Sequence, residues 1–571
     1  MSSPARSTPV DSSAARGLRI DVRDLTKTVG DGTRVLDDIS FSIQPGELVA
    51  IVGGSGAGKT TLLEAIAGIR LADSGSVAFD GVEAASHLVE MRRSMGYVPQ
   101  DDIIHAELPL HSTLRYAAQL RLPSSTSNDT VDRLVDDALD RLDLERRRDV
   151  RVSALSGGQR KRASIAVELL TDPHVLFLDE PTSGLDPATS AGLLANLRRL
   201  ADSGATIVLT THAVQDLNAC DRVLFLASGG RLAFAGSVTD AVDYFGVGSV
   251  EAIYVALADG DPTQWASRWR QRADGAMPPI ELSDRPSFVA RERPGALRQF
   301  SVLTRRTTDT LIRNRLTLAI LVGSPAMVVA MFAVLFRPGA FDFAHPNPSA
   351  VIMIVFWIAF GGFFFGLTYG LLQICTEMPI VRRERLVGLR LGSYLLSKVA
   401  VLLPFLLLVD LLMLGVLRVL DRLPAIDSAT FASIAITLLL DAVAALALGL
   451  VTSAAVTNPS QATLALPLLC FPAVLFSGAI LPLDAMASVG RAISVVMPDR
   501  WAFEAIGHDL GLRNLFANGG SSLGPPLLEQ YGGAGTRSTA FYWSVLIAFS
   551  VVLLAGARLA LERRSRPAAR S

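Results

Sequence analysis

Two kinds of hydrophobic patterning divide the chain. From Leu18 to about Phe245, short apolar runs (Leu48 to Val52, Val175 to Leu178, Thr206 to Thr210) alternate with longer stretches of helical period. Runs this short predict strands, and Val131, Leu134, Val135, Ala138, Leu139 and Leu142 form the apolar face of one intervening helix. Alternation of this kind predicts an α/β domain. Beyond it the pattern changes: Leu316 to Phe336 supplies 21 residues without a charge, which as a helix would run about 31 Å and cross a bilayer. Further spans are predicted near Ala350 to Cys375, Tyr394 to Val419, Ala429 to Val456, Ala462 to Leu483 and Ala540 to Ala560. The expected organisation is a tail over 1–17, an α/β domain over 18–246, a linker over 247–295, a basic amphipathic helix over 296–315 and an all-α membrane domain of six spans over 316–571.

Charge placement orients the spans. Arg305, Arg306, Arg313 and Arg315 precede the first, Arg382, Arg383, Arg385 and Arg390 follow the second, and Arg563, Arg564 and Arg566 follow the last. Six crossings put all three groups on one side, and an excess of arginine marks that side, with the α/β domain and both termini, as cytoplasmic. Composition agrees with a membrane half: 50% of the 571 residues are hydrophobic and 19% charged, against roughly 25% charged in an average soluble domain. A net charge of −1 gives no electrostatic reason for a nucleic-acid partner. Cys220, Cys375 and Cys470 are far apart and form no metal or disulfide pattern, so they are expected to be small buried hydrophobes. Asp410 and Asp441 lie in apolar surroundings, where an interfacial or helix-packing role is expected and a proton relay is the alternative.

The chemistry sits in the first half. Gly53, Gly54, Ser55, Gly56, Ala57, Gly58, Lys59, Thr60 and Thr61 follow the run Leu48 to Val52 and precede a helical stretch, the context of a Walker A phosphate loop. Glycines let backbone N–H groups converge on phosphates, Lys59 adds a charge near the outer phosphates, and Thr60 can place its hydroxyl on Mg2+. The run Val175 to Leu178 ends in Asp179 and Glu180. Asp179 suits a hold on the metal, and Glu180 suits a general base that polarises the attacking water. Gln100 and His212 fall in loops after Tyr97-Val-Pro and after Thr206 to Thr210, positions from which they can reach metal, water or γ-phosphate.

Between the two Walker elements lies Leu155, Ser156, Gly157, Gly158 and Gln159, followed by a helix expected to begin near Arg160. With this segment the sequence resembles the ATP-binding-cassette family: signature at 155–159, Q-loop at Gln100, D-loop at Ser183 to Asp186, and switch histidine at His212. The resemblance implies ATP and Mg2+ as cofactors and ATPase activity. It assigns catalysis to Glu180, His212 and Gln100, metal contact to Thr60, Gln100 and Asp179, and nucleotide contact to the phosphate loop, Ser156, Gly157, Gly158, Gln159 and Asp186. It also implies a head-to-tail dimer, since the signature of one copy serves the nucleotide on the other. A homodimer is expected, with a related second half as the alternative. Family members often carry an aromatic ring against adenine where this chain has Val29, which leaves selectivity between ATP and GTP open.

A cassette followed by six spans resembles the half-transporters of the G subfamily. Val98 to Asp102, Leu114 to Ala117, Arg382 to Arg385, Tyr394 to Lys398 and Arg500 to Glu504 carry that likeness. It implies a coupling helix around 378–389 resting on the cassette through Arg382, Arg383, Glu384 and Arg385. It also implies a substrate path between the second and fifth spans, near Phe363 to Phe365 and Cys470 to Phe476, and an external cap over 484–539. Pro467, Pro472 and Pro482 are expected to kink the fifth span. The expected activity is export of an amphipathic small molecule or lipid across the cell membrane by alternating access. The alternative is an ATP-driven regulator that remodels a partner protein without moving cargo.

Overall fold

The structure, a computed structural model, describes residues 17–30, 32–273, 292–531 and 535–565. The tail expected over 1–17, apart from Gly17, lies outside the described residues, as do 274–291 of the expected linker and Arg566. The chain divides into two compact units, one essentially N-terminal to Gly295 and one essentially from Ala296 onward.

The first unit opens with β1 (Ile20–Val29), β2 (Thr33–Ile43) and β3 (Leu48–Gly53), then α1 (Lys59–Ile66), β4 (Ser74–Phe79), β5 (Val82–Glu83), α2 (Leu88–Ser94) and β6 (Met95–Val98). It continues with α3 (Leu110–Arg121), α4 (Asn128–Arg141), α5 (Gly157–Leu169), β7 (Val175–Leu178), α6 (Pro187–Asp202), β8 (Thr206–Thr210), β9 (Arg222–Ala227) and β10 (Arg231–Gly236). Three helices complete it: α7 (Val238–Phe245), α8 (Val250–Asp259) and α9 (Pro262–Ala273). An antiparallel sheet runs β2-β1-β4-β5, and a second sheet runs β10-β9-β3-β8-β7-β6, parallel except at its β10 edge.

Side chains on successive strand residues point to opposite faces, and the core divides accordingly. Leu48, Ala50, Val52, Leu176, Leu178, Ile207 and Leu209 pack in one apolar cluster with residues of α3, α4, α5 and α6. Their neighbours Val49, Ile51, Val175, Phe177 and Val208 pack in the other, with α1 and the antiparallel sheet. Burial on both faces explains why these strands read as continuous apolar runs. The stretch after Phe245, expected as linker, contains α8 and α9. Ile253 and Leu257 join the first cluster, and Trp265 and Trp269 pack against it beside Tyr244 and Phe245.

The second unit begins with α10 (Ala296–Arg313), α11 (Arg315–Leu335), α12 (Pro348–Leu371), α13 (Met378–Leu386), α14 (Leu391–Val419), α15 (Ser428–Ala455) and α16 (Pro459–Phe476). It ends with α17 (Ser488–Val495), α18 (Pro498–Asp509), α19 (Leu512–Asn518), α20 (Gly524–Tyr531) and α21 (Thr539–Ser565). Among the described residues six helices, α11, α12, α14, α15, α16 and α21, are long and apolar enough to span a membrane. The fifth stops at Phe476: Gly478 turns the chain at φ 82°, so Pro467 and Pro472 lie inside the helix and Pro482 lies beyond it.

Small residues decide how the central pair packs. A Cβ on Gly366 would stand 2.0 Å from the Ala442 carbonyl oxygen, and one on Gly370 would stand 2.6 Å from that of Leu446. Without those side chains α12 and α15 approach backbone to backbone, the contact that replaces hydrophobic driving force between helices in lipid. Asp410 on α14, Asp441 on α15 and Asp499 on α18 are fully buried. None of their carboxylate oxygens has a hydrogen-bond partner among the described residues. Of the two roles expected for Asp410 and Asp441, burial inside the bundle fits helix packing and not an interfacial position.

At the other end of the bundle the polar groups are paired. Arg306 on α10 grips Glu384 on α13 through both guanidinium Nη atoms. Glu377 accepts from Lys398 Nζ at 2.7 Å and from the Tyr394 hydroxyl at 2.8 Å. Arg385 donates to the Glu562 carbonyl at 2.8 Å, and Arg382 donates to that of Arg564 at 3.2 Å. Glu384 thus engages α10, and Arg382 and Arg385 engage the end of α21, where carbonyls at a helix C-terminus attract cations.

Candidate nucleotide site

Four adjacent parallel strands, β3, β8, β7 and β6, deliver the candidate residues from their carboxyl ends, where open α/β sheets place their ligands. The loop after β3 is anchored by crowding. A Cβ on Gly53 would meet the Leu226 carbonyl oxygen at 2.5 Å, and one on Gly58, at φ 93°, would meet that of Val35 at 2.5 Å. Between these fixed points Gly54, Ser55 and Gly56 form an exposed crest, with Ala57 buried beneath. The first bond of α1 runs from the Leu62 N–H to the Gly58 carbonyl. The N–H groups of Lys59, Thr60 and Thr61 therefore stand at the positive end of the helix, which suits an anion. Lys59 Nζ donates to the Gly53 and Gly54 carbonyls, each at 3.0 Å. Phosphate oxygens, being charged, are stronger acceptors than those carbonyls.

Beside the loop, Asp179 at the end of β7 accepts at Oδ1 from Thr60 Oγ1 at 3.1 Å and from Thr210 Oγ1 at 2.6 Å. Thr210, the last residue of β8, in turn accepts from the Glu180 N–H at 2.8 Å. One buried hydroxyl thus holds both acidic residues, and Glu180 sits at φ 44° in the left-handed region. Gln100 Nε2 donates to Glu180 Oε2 at 3.3 Å, and His212 Nδ1 lies 3.6 Å from the same oxygen. The structure brings Lys59, Thr60, Asp179, Glu180, Gln100 and His212 to one edge of the sheet.

The signature residues lie elsewhere on the cassette. The helix after them starts at Gly157, earlier than expected, because Ser156 acts as its N-cap. The Ser156 hydroxyl accepts from the Gln159 N–H at 3.4 Å, and the Gln159 side chain accepts from the Ser156 N–H at 3.1 Å. Ser156 and Gly157 are exposed while Gly158 packs on Thr189. The capping box leaves a helix N-terminus facing outward, which is a ready anion site. Asp186 caps α6, accepting from the Thr189 N–H at 3.0 Å and from its hydroxyl at 2.6 Å. The Thr189 hydrogen bonds hold the Asp186 carboxyl below the usual carboxylate range. Val29 ends β1 and is 40% exposed.

Residues that no motif reading singled out complete the site. Thr210 is the bridge just described. Asp216 is fully buried and accepts from Thr182 Oγ1 and Thr211 Oγ1, each at 2.6 Å, so it fixes the segments after Glu180 and before His212. The threonines Thr210 and Thr211, at and just after the end of the run Thr206 to Thr210, were the only sequence signal for these roles. The cysteines are ordinary: Cys375 is buried, Cys220 and Cys470 are half-buried, and burial pushes the Cys220 thiol up to about 12.

Comparison with known families adds independent support. Residues 36–183 match the model described as ABC transporter, and residues 298–508 match that described as ABC-2 type transporter. An ABC transporter ATP-binding/permease protein of Mycobacterium tuberculosis is 34% identical over 500 residues, 85% of this chain and 57% of that protein. ABC transporter G family member 26 of Arabidopsis thaliana is 40% identical over 220 residues, 37% of this chain and 31% of that protein. A broad substrate specificity ATP-binding cassette transporter of Mus musculus is 37% identical over 220 residues, 37% of this chain and 33% of that protein. The chain spans little more than half of the mycobacterial relative and about a third of the other two.

Proposed function

Because this chain belongs to the ATP-binding-cassette transporters, with an ABC-2 type membrane half, we propose that it is an ATP-driven exporter of an amphipathic small molecule or lipid, working as a homodimer of half-transporters in the cell membrane. The observation that carries this reading is the convergence of Gln100 and His212 on Glu180, one residue beyond an Asp179 already hydrogen-bonded to Thr60 of the phosphate loop.

In this reading Lys59 and the α1 N-terminus hold the triphosphate. The oxygen donors of Thr60, Asp179 and Gln100 fit a hard divalent cation, and Mg2+ bound there supplies charge neutralisation to the phosphates. Glu180 accepts the proton of the attacking water as the new bond to the γ-phosphorus forms and the bond to the bridging oxygen of ADP breaks. His212, on the same side of Glu180, orients the γ-phosphate and the water. Ser156 and Gly157, exposed at the α5 N-terminus, serve the nucleotide of the second copy, so that two equivalent sites form at a two-fold seam.

Transport follows from differential binding. ATP favours the closed cassette pair, the membrane halves follow, and hydrolysis resets them; a nucleotide with equal affinity for both states would shift nothing. The second and fifth spans share one apolar cluster through Phe363, Leu367, Ala473 and Cys470, while Phe471 on the fifth is 67% exposed. That face supports a cargo path or a second-copy contact along the two-fold axis. Val29 offers apolar contact without ring stacking, so GTP should compete with ATP in the ATPase assay.

The test is Glu180→Gln in the full chain reconstituted in liposomes. The variant should bind ATP, lose turnover by roughly a thousandfold and lose ATP-dependent flux of cargo. Wild-type hydrolysis in it would remove Glu180 as base. Intact hydrolysis in the wild type with no flux, changing only when a protein partner is added, would favour a regulator.

A further inference from the structure

We propose that Lys161 is a positioning residue that ties the loop carrying Gln100 to the head of the signature helix, so that both move as one piece through the ATPase cycle. Lys161 lies on α5 and is 5% exposed. Its ammonium donates to the Gln100 carbonyl at 2.5 Å and stands 3.6 Å from Asp102 Oδ1, two residues further along the same loop. Arg160 approaches the same carboxylate at 4.0 Å.

A buried ammonium is costly unless charge-assisted partners surround it, and here each of those contacts lands on a single loop. The Gln100 side chain reaches Glu180 Oε2 at 3.3 Å. Gln100 is therefore held by its backbone carbonyl from α5 while its side-chain amide donates to Glu180. At its other end α5 is fixed to α3 by a buried, two-point pair: Arg121 Nη1 and Nη2 meet Glu168 Oε2 and Oε1 at 2.8 and 2.9 Å. The Lys161 and Glu168 contacts thus fix α5 near its head and at its far end.

Ser156 and Lys161 are separated by about 7.5 Å along the helix axis at 1.5 Å per residue. Where the signature serves the second copy's nucleotide, the exposed cap reads one phosphate group and the buried ammonium sets the geometry around the other. This cross-site role rests on the composite-site reading; the local positioning of Gln100 does not.

The experiment uses the full chain in liposomes, with Lys161→Met to remove the charge and keep most of the stem, and Lys161→Arg to restore a cation. Steady-state ATPase is measured with backbone amide exchange of residues 97–105. The methionine variant should lose kcat by roughly 10- to 100-fold, the scale of a misplaced catalytic group. Its KM for ATP should stay within about twofold of wild type, because phosphate-loop binding is untouched. Its 97–105 amides should exchange faster without nucleotide, and arginine should recover both readouts. Wild-type kcat and wild-type exchange in the methionine variant overturn the proposal, as does a rise in KM with kcat unchanged.

Should the methionine variant fail to fold, Asp102→Asn decides. It should loosen the same amides and lower kcat by a smaller factor, and wild-type values for both overturn the proposal. Crosslinking between cysteines placed at Lys59 and Ser156 tests the composite site separately. If that crosslink never forms between protomers while the Lys161 result holds, only the cross-site part is lost.

Discussion

Buried carboxylates at the candidate nucleotide site of the cassette and those in the interior of the membrane bundle are held differently. In the cassette, two buried carboxylates are bracketed by hydroxyls: Asp179 by Thr60 and Thr210, Asp216 by Thr182 and Thr211. In the membrane half, Asp410, Asp441 and Asp499 are equally buried and carry no such bracket. Order there comes instead from backbone contact at Gly366 and Gly370. The lesson is that the cassette gains precision from directional bonds, which must be aimed, whereas the bundle gains it from the absence of side chains, which need only fit.

The contrast can be broken first where fit matters most. Gly366→Val forces a side chain against the Ala442 carbonyl oxygen, 2.0 Å from its Cβ. The helices must separate, and the membrane unit should lose about 3 kcal/mol or more, the upper range for overpacking. A thermal-shift series on the purified protein should show this loss; an unchanged midpoint would mean that the α12 to α15 contact is not tight in the membrane.

Next comes an aimed bond. Thr210→Val keeps the shape of the buried strand end but leaves the Glu180 N–H and Asp179 Oδ1 without the bridging hydroxyl. The expected cost is about 1–3 kcal/mol in cassette stability. Turnover should fall more than ATP affinity does, because the base and not the phosphate loop is displaced. Equal losses in kcat/KM and in binding would place Thr210 in the fold alone.

The smallest effect concerns pH. Thr189 hydrogen bonds lower the Asp186 carboxyl, so the stabilisation is fully present above the ordinary carboxylate value and is lost as pH falls through the lowered one. Thr189→Val should therefore reduce stability at neutral pH and flatten its decline in acid. Urea midpoints across an acid series would show it, and parallel curves for both proteins would remove the cap from the acid response.

Much of this organisation was legible in the sequence, for reasons that can be named. The runs Val175 to Leu178 and Thr206 to Thr210 coincide with β7 and β8 because strands buried on both faces exclude charge and keep their few polar residues at the ends. Each of the six apolar stretches corresponds to a long helix for a similar reason, with lipid as the surroundings. What escaped depends on neighbours distant in the chain. α5 begins at Gly157 because Ser156 and Gln159 cap each other. Residues 250–273 fold as helices because Ile253, Trp265 and Trp269 find a cassette core to rest on. Glu384 is expected at a cassette surface, and its pairing with Arg306, 78 residues away, could not be read from local pattern. In the candidate site the residue types that do chemistry were visible as motifs, whereas Thr210, Asp216 and Lys161 are ordinary residues whose roles arise only from adjacency.

One detail of the candidate nucleotide site bears on how stability and the proposed hydrolysis are balanced. Glu180 occupies a backbone conformation that costs a residue with a side chain on the order of 1–2 kcal/mol and costs glycine almost nothing. Glu180→Gly should consequently yield a cassette at least as resistant to heat as the parent and unable to turn over. Robustness alone would favour glycine at this position, so a carboxylate there accords with the base role proposed for Glu180.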